Sequence, residues 1–213
     1  MKEYSVIFDL DGTLWDVYEV SKYTADIIAG KYGLKPVSEA GIRASFGQMR
    51  EVSAKNYFPD LPLSESLPLI DEVIVDTANN VVRLGGQLYP KLIETLDILK
   101  DKYDLFIVSN SPKQEYVSSF VDYSKTEKMF KGCYSVGKLG LTKGQGIKKI
   151  VADNGYKKAV YVGDTVMDYN SAKEADVEFI FASYGFGEAP EAKHVINGFG
   201  ELIGMLERIF ETG

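Results

Sequence analysis

Short apolar, β-branched runs alternate in this chain with stretches whose apolar residues recur at helical spacing, and that alternation leaves few folds open. The runs occupy residues 4–8, 104–108, 159–162 and 177–182. Each has the length and composition of a strand buried on both faces. Between them, Leu92, Ile93, Leu96 and Leu99 share one face of a helix, with Pro90 placed to open its first turn. Pro112 opens a second helix carrying Tyr116, Val117 and Phe120. Residues 144–154 form a third, ending at Gly155 where a C-terminal cap is expected. The alternation predicts an α/β fold with a Rossmann-like, doubly wound parallel sheet covered on both faces.

One region departs from this pattern. Residues 17–86 show helical periodicity and no convincing strand. Helices are expected over 20–32, 38–46 and 67–84, closed by Gly33 and by Gly85-Gly86 and separated by turns at Pro36, Pro59 and Pro62. The expected organisation is an α/β core of residues 1–16 and 87–213, with a small helical cap domain, residues 17–86, inserted over the end of the sheet. No internal repeat or low-complexity tract competes with that reading.

Composition narrows the function. A net charge of −7, from 24 basic and 31 acidic residues, argues against nucleic acid or an anionic membrane as a partner. An anionic substrate then needs positive charge placed locally, and a divalent cation is the simplest source. One cysteine, Cys133, leaves no intrachain disulfide and no thiolate metal cluster, and one histidine, His194, leaves no histidine triad. The N-terminal residues run straight into a strand, and no stretch approaches the ~20 apolar residues of a membrane span. The expectation is a cytoplasmic protein, monomeric or homodimeric.

Ligands of doubly wound sheets bind beyond the carboxyl ends of the strands, and this chain keeps its unusual polar residues there. Asp9-Leu10-Asp11-Gly12-Thr13 follows the first run, Ser109-Asn110-Ser111 the second, and Gly163-Asp164-Thr165-Val166-Met167-Asp168 the third. Lys143 stands just before the helix expected from Gly144. Taken singly, each is a turn residue, a helix cap or a solvated lysine, and Asp168 in particular suits a helix cap. Their conjunction, in order and at strand ends, points to one site. Asp9 and Asp11, two apart, share a side of extended chain, and two adjacent carboxylates need a proton or a cation between them. Mg²⁺ prefers oxygen ligands, which Asp9, Asp164 and a backbone carbonyl near Asp11 can offer. Gly12 suits a sharp turn whose N–H groups approach a phosphate.

Asp9-Leu10-Asp11-Gly12-Thr13-Leu14 resembles the first motif of the haloacid dehalogenase superfamily. Ser109, Lys143 and the acidic pair Asp164/Asp168 are similar to its second, third and fourth motifs, over nearly the whole chain. The helical insertion sits where that family carries small caps, and Tyr184-Gly185-Phe186-Gly187 resembles its phosphoglycolate-phosphatase branch. The resemblance implies a Mg²⁺-dependent phosphatase acting on a small phosphorylated metabolite, with 2-phosphoglycolate the first substrate to try. It implies Asp9 as nucleophile and Asp11 as acid and base. Thr13, Ser109, Asn110 and Lys143 would meet the phosphate, and Asp9, Asp11, Asp164 and Asp168 would form the metal site, with Asp168 either ligating or orienting the ligands. A phosphomutase needs the same residues, and a non-catalytic phosphate-binding protein is the further alternative. Arg43, Gln48, Arg50 and Lys55 of the cap are candidates to meet a second anionic group on the substrate.

Overall fold

The computed structural model describes residues 2–111 and 113–211. After β1 (Tyr4–Phe8) and the two-residue β2 (Trp15–Asp16) come four helices with no intervening strand: α1 (Tyr18–Lys31), α2 (Glu39–Arg43), α3 (Arg50–Tyr57) and α4 (Leu63–Leu84). β3 (Gln87–Leu88) then pairs antiparallel with β2, Trp15 opposite Leu88. The chain therefore leaves the sheet layer and returns to it at adjacent points. Beyond this ribbon the alternation resumes through α5 (Leu92–Lys102), β4 (Asp104–Ser109), α6 (Gln114–Ser124), β5 (Gly132–Ser135) and α7 (Lys143–Asn154). It ends with β6 (Lys158–Gly163), α8 (Val166–Ala175), β7 (Glu178–Ala182), β8 (His194–Ile196) and α9 (Leu202–Glu211).

The six long-range strands form one parallel sheet in the order β5-β4-β1-β6-β7-β8. β1 lies between β4 and β6, where the order reverses, and that is where a doubly wound sheet opens a crevice at its carboxyl edge. Successive side chains of a strand point to opposite faces. Val6, Phe8, Leu105, Ile107, Val160 and Val162 accordingly pack on one face, with α5, α6 and α9. Ile7, Phe106, Val108 and Tyr161 pack on the other, with α7 and α8. A third apolar cluster lies in the helical insertion, where Ile28, Ile42, Ala54, Ile70 and Val73 are buried among α1, α2, α3 and α4. No helix among the described residues is long and apolar enough to cross a membrane.

Local differences from the sequence reading have physical causes. β5 and β8 were not anticipated, because they are short edge strands with partly exposed residues and so lack an apolar run. α3 was missed as well, since it is mostly polar, with only Ser53, Ala54 and Tyr57 buried. α4 starts at Leu63, four residues before the expected position, with Pro68 inside the helix. α2 stops at Arg43 and is capped by Ser38, whose Oγ accepts from Gly41 N at 3.1 Å. Pro90 stands outside α5, whose N-cap is Lys91 in left-handed geometry. Lys143 belongs to α7 as its first residue, because Thr142 caps that helix in a reciprocal box with Gln145. Pro112, expected to open a helix, lies outside the described residues, and α6 begins at Gln114.

Phe120 is fully buried on α6, edge-on to Trp15 with ring centroids 5.2 Å apart. Phe120→Ala should cost about 3–5 kcal/mol of unfolding free energy, read as a lower urea midpoint with little change in slope.

Candidate active site

Asp9 is the first residue past β1, and its N–H donates to Val162 O of β6 at 2.8 Å. The next residues fold back in a tight turn, with Leu14 N on Leu10 O at 2.9 Å and Gly12 N on Trp15 O at 2.9 Å. Gly12 has φ +82°, and a β-carbon there would overlap the Asp164 carboxylate, so both its conformation and its position require glycine. The turn brings Asp9 and Asp11 to the wall of one cavity of about 230 Å³, together with Ser109, Asn110, Lys143, Asp164 and Asp168. Thr13 is not in that wall. It is fully buried, its carbonyl accepts from Tyr184 OH at 2.9 Å, and its Oγ1 has no partner among the described residues.

Lys143 is the electrostatic centre. Its buried ammonium donates to Asp9 Oδ1 at 2.9 Å and to Asp168 Oδ1 at 2.7 Å. Burial alone would depress its pKa, but the two carboxylates outweigh that and hold it well above the usual lysine range. Asp168 also accepts from Tyr161 OH at 3.0 Å, while its Oδ2 takes the Thr165 hydroxyl at 2.6 Å and the Thr165 N–H at 3.1 Å. It thus caps α8 and holds Lys143 at once. Its pKa is lowered: burial opposes ionisation, and the Lys143 charge with these hydrogen bonds overrides burial.

Asp9 and Asp164 respond the other way. Burial, then the Asp168 charge, raises Asp9 to about 7 despite Lys143. The same causes, with Asp9 added, push Asp164 well above the carboxylate range. Asp164 Oδ2 accepts from Phe186 N at 2.7 Å, whereas its buried Oδ1 has no partner among the described residues. Asp9, Asp164 and Asp168 each offer a carboxylate oxygen, all within 4.8 Å of one another. Three carboxylates against one ammonium, with a buried oxygen left unbonded, make an all-oxygen donor set that fits a hard divalent cation such as Mg²⁺.

Asp11 stands outside that group. Its Oδ1 accepts both Trp15 Nε1 at 2.8 Å and Tyr116 OH at 2.6 Å. Burial raises its pKa, and the two donors oppose the rise. Both donors fall on one oxygen, so Oδ2 has no hydrogen-bond partner among the described residues. Sequence reasoning placed Tyr116 on an apolar helix face and missed the link of Tyr116 and Trp15 to Asp11. The available signal was that each aromatic carries a polar tip that needs a partner when buried.

Two loops close the cavity. Ser109 Oγ accepts from Ser111 N at 3.1 Å, which shapes the turn after β4. Phe186, in the glycine–aromatic loop after β7, stacks on Phe46 of the helical insertion with ring centroids 3.8 Å apart. That contact seats Phe46, Gly47 and Gln48 over the aspartates. Arg43, Arg50 and Lys55 are not in the wall. Arg43 pairs with Glu39 at 2.9 Å, Arg50 pairs with Asp71, and Lys55 is exposed.

With that geometry in view, the chain can be set beside known proteins. It is 26% identical to a phosphoglycolate phosphatase of Agrobacterium fabrum over 226 residues, covering 97% of this chain and 94% of the relative. It is 23% identical to a phosphoglycolate phosphatase of Synechococcus elongatus over 188 residues, covering 86% and 85%. A solved structure described as a predicted phosphoglycolate phosphatase from Haemophilus somnus superposes with a TM-score of 0.80 at 18% identity, covering 97% of this chain and 99% of that one, a likeness of fold. Residues 6–182 match the family described as haloacid dehalogenase-like hydrolase, and the chain belongs to that family.

Proposed function

We propose that this protein is a Mg²⁺-dependent phosphatase that hydrolyses a small-molecule phosphomonoester through a phosphorylated Asp9. One observation carries the reading: Lys143 bridges Asp9 and Asp168 at 2.9 and 2.7 Å, beside an Asp164 oxygen that is buried and unbonded. With its three carboxylates ionised and one ammonium, the cluster carries two formal negative charges in excess, the amount that a divalent cation would balance. Residues 17–86 serve as the cap that covers this site.

Asp9 attacks phosphorus in line and forms an acyl-phosphate while the leaving alkoxide departs. Asp11 gives that alkoxide a proton, then takes one from the water that hydrolyses the intermediate. Its free Oδ2 is the oxygen available for both transfers, since Trp15 and Tyr116 hold Oδ1. Lys143 neutralises charge on Asp9 and on the transferring phosphoryl group, and the Ser109 hydroxyl and the N–H groups of that loop add donors. Asp9, Asp164 and Asp168 would hold or orient the cation, which supplies further charge neutralisation when bound. The glycine–aromatic loop and the cap exclude bulk water, which strengthens these interactions.

The reading is tested by phosphate release from p-nitrophenyl phosphate and alkyl phosphates. Wild type should turn over only with Mg²⁺, and Asp9→Asn should lose at least a thousandfold in kcat. Activity that survives in Asp9→Asn would rule out the nucleophile. Tyr116→Phe should lower kcat for alkyl phosphates about tenfold, yet change p-nitrophenyl phosphate little, because nitrophenolate leaves without an acid. Equal losses on both esters would show that Tyr116 acts on packing alone.

A stability experiment follows from Asp9, whose folded pKa of about 7 lies above the ordinary 3.8. The folded state holds that proton longer, so this group's contribution to stability falls as pH rises between about 4 and 7. In metal-free protein, Asp9→Asn should therefore gain Tm over wild type as pH rises through this window. Added Mg²⁺ should stabilise wild type most at its upper end. A mutant-to-wild-type difference that stays flat from pH 4.5 to 7.5 contradicts the assignment.

A further inference from the structure

A second cavity, of about 250 Å³, adjoins the catalytic one. Asp11, Asn110, Ser111, Phe46 and Gly47 belong to the walls of both. Past Asp11 the second chamber runs between the sheet edge and the cap, walled by Ile70, Val73, Ile74 and Ala78 of α4. Its lining carries no lysine, arginine or histidine among the described residues, and Asp11 is its one carboxylate. Polar character comes from hydroxyls instead. Thr77 Oγ1 is buried without a partner, and the Tyr57 hydroxyl, also in the wall, has none among the described residues.

The chemistry of the adjoining site gives this chamber an occupant. Asp11 is the acid that protonates the departing oxygen, so the leaving group lies on the Asp11 side of phosphorus, and Asp11 and Tyr116 both face this chamber. A carboxylate placed there would lose its hydration, meet no cation and stand beside Asp11, each of which is unfavourable. An apolar group would gain by displacing water from Ile70, Val73 and Ala78. Apolar cavities of ~150 Å³ already take a benzene ring, so this one has room for a group of that size.

We propose that the chamber receives the substrate's leaving group, and that this group is an uncharged, largely apolar alcohol or phenol of about the size of an aromatic ring. A lone hydroxyl, ether or carbonyl on it would meet Thr77 or Tyr57. Two-carbon acids such as glycolate fit poorly. The proposal rests on the phosphatase reading, because Asp11's role sets the direction of the leaving group.

The test separates the two. Binding of benzylphosphonate and of 3-phosphonopropionate, neither of which can be hydrolysed at an ester oxygen, is measured by calorimetry with Mg²⁺. kcat/KM is measured in parallel for benzyl phosphate and phosphoglycolate. Benzylphosphonate should bind at least tenfold tighter, and benzyl phosphate should be favoured by a similar factor. Ile74→Lys places an ammonium in the chamber wall at a position 41% exposed, so the new charge keeps access to water. It should shift both ratios at least tenfold toward the carboxylate ligands. Equal or tighter binding of 3-phosphonopropionate to wild type overturns the chamber assignment. Turnover that favours phosphoglycolate does so too, yet keeps the phosphatase reading. Selective binding of benzylphosphonate with no ester hydrolysed keeps the chamber's apolar preference but sinks the phosphatase and with it the leaving-group role, and failure of both phosphonates to bind overturns both.

Discussion

The Lys143 ammonium between Asp9 and Asp168 is the interaction on which the rest of the site depends. Three buried carboxylates gathered at the end of a sheet repel one another and lose hydration, and both effects favour protonation. One fixed cation lets Asp168 stay ionised, whereas burial and the Asp168 charge leave Asp9 and Asp164 with raised pKa values, Asp9 despite its own bond to Lys143. The site is thus strained electrostatically in a direction that a divalent ion relieves. The same excess of buried negative charge would repel a phosphate, so an anionic ligand would depend on such a cation and on Lys143 together.

The fold supplies the rigidity that such an arrangement needs. Asp9 follows the central strand, pinned to β6 through a backbone bond, and Asp164 follows β6 itself. Lys143 is fixed by the capped start of α7, and Asp168 by the cap of α8. Each charged group therefore hangs from the end of a regular element, where its backbone has little freedom. Buried ion clusters with poor geometry destabilise a protein. Here hydrogen bonds from Tyr161, Thr165 and Phe186 hold Asp168 and one oxygen of Asp164, and the oxygens without such a partner among the described residues, Asp164 Oδ1 and Asp9 Oδ2, mark the opening for a ligand.

The division of labour between core and insertion follows the same logic. The aspartates and Lys143 come from the α/β core, whereas the wall beyond Asp11 comes largely from α4 of the insertion. A cap seated through Phe46 on Phe186 can change its lining without disturbing the aspartates.

Much of this was legible in the sequence. The parallel α/β sheet, the helical insertion between the first two motifs, and the strand-end placement of Asp9, Asp11, Ser109, Asn110 and Asp164 follow from local apolar periodicity and turn chemistry, which depend on neighbours in sequence. Edge strands β5 and β8 and the polar helix α3 were not legible, since pairing with distant segments and packing within the helical insertion hold them in place. The Trp15 and Tyr116 hydrogen bonds to Asp11 lay equally out of reach. Residues 11 and 116 meet only when α6 packs against the turn after β1, and an aromatic on an apolar face looks the same in sequence whether or not its polar tip is engaged. The cap cations Arg43 and Arg50 stood as candidates until tertiary structure turned them toward Glu39 and Asp71. Sequence alone determined which chemistry the strand ends can perform, because residue types and their order carry it. Tertiary structure decided which side chains line the chamber beyond Asp11, because that depends on how two separate apolar clusters dock.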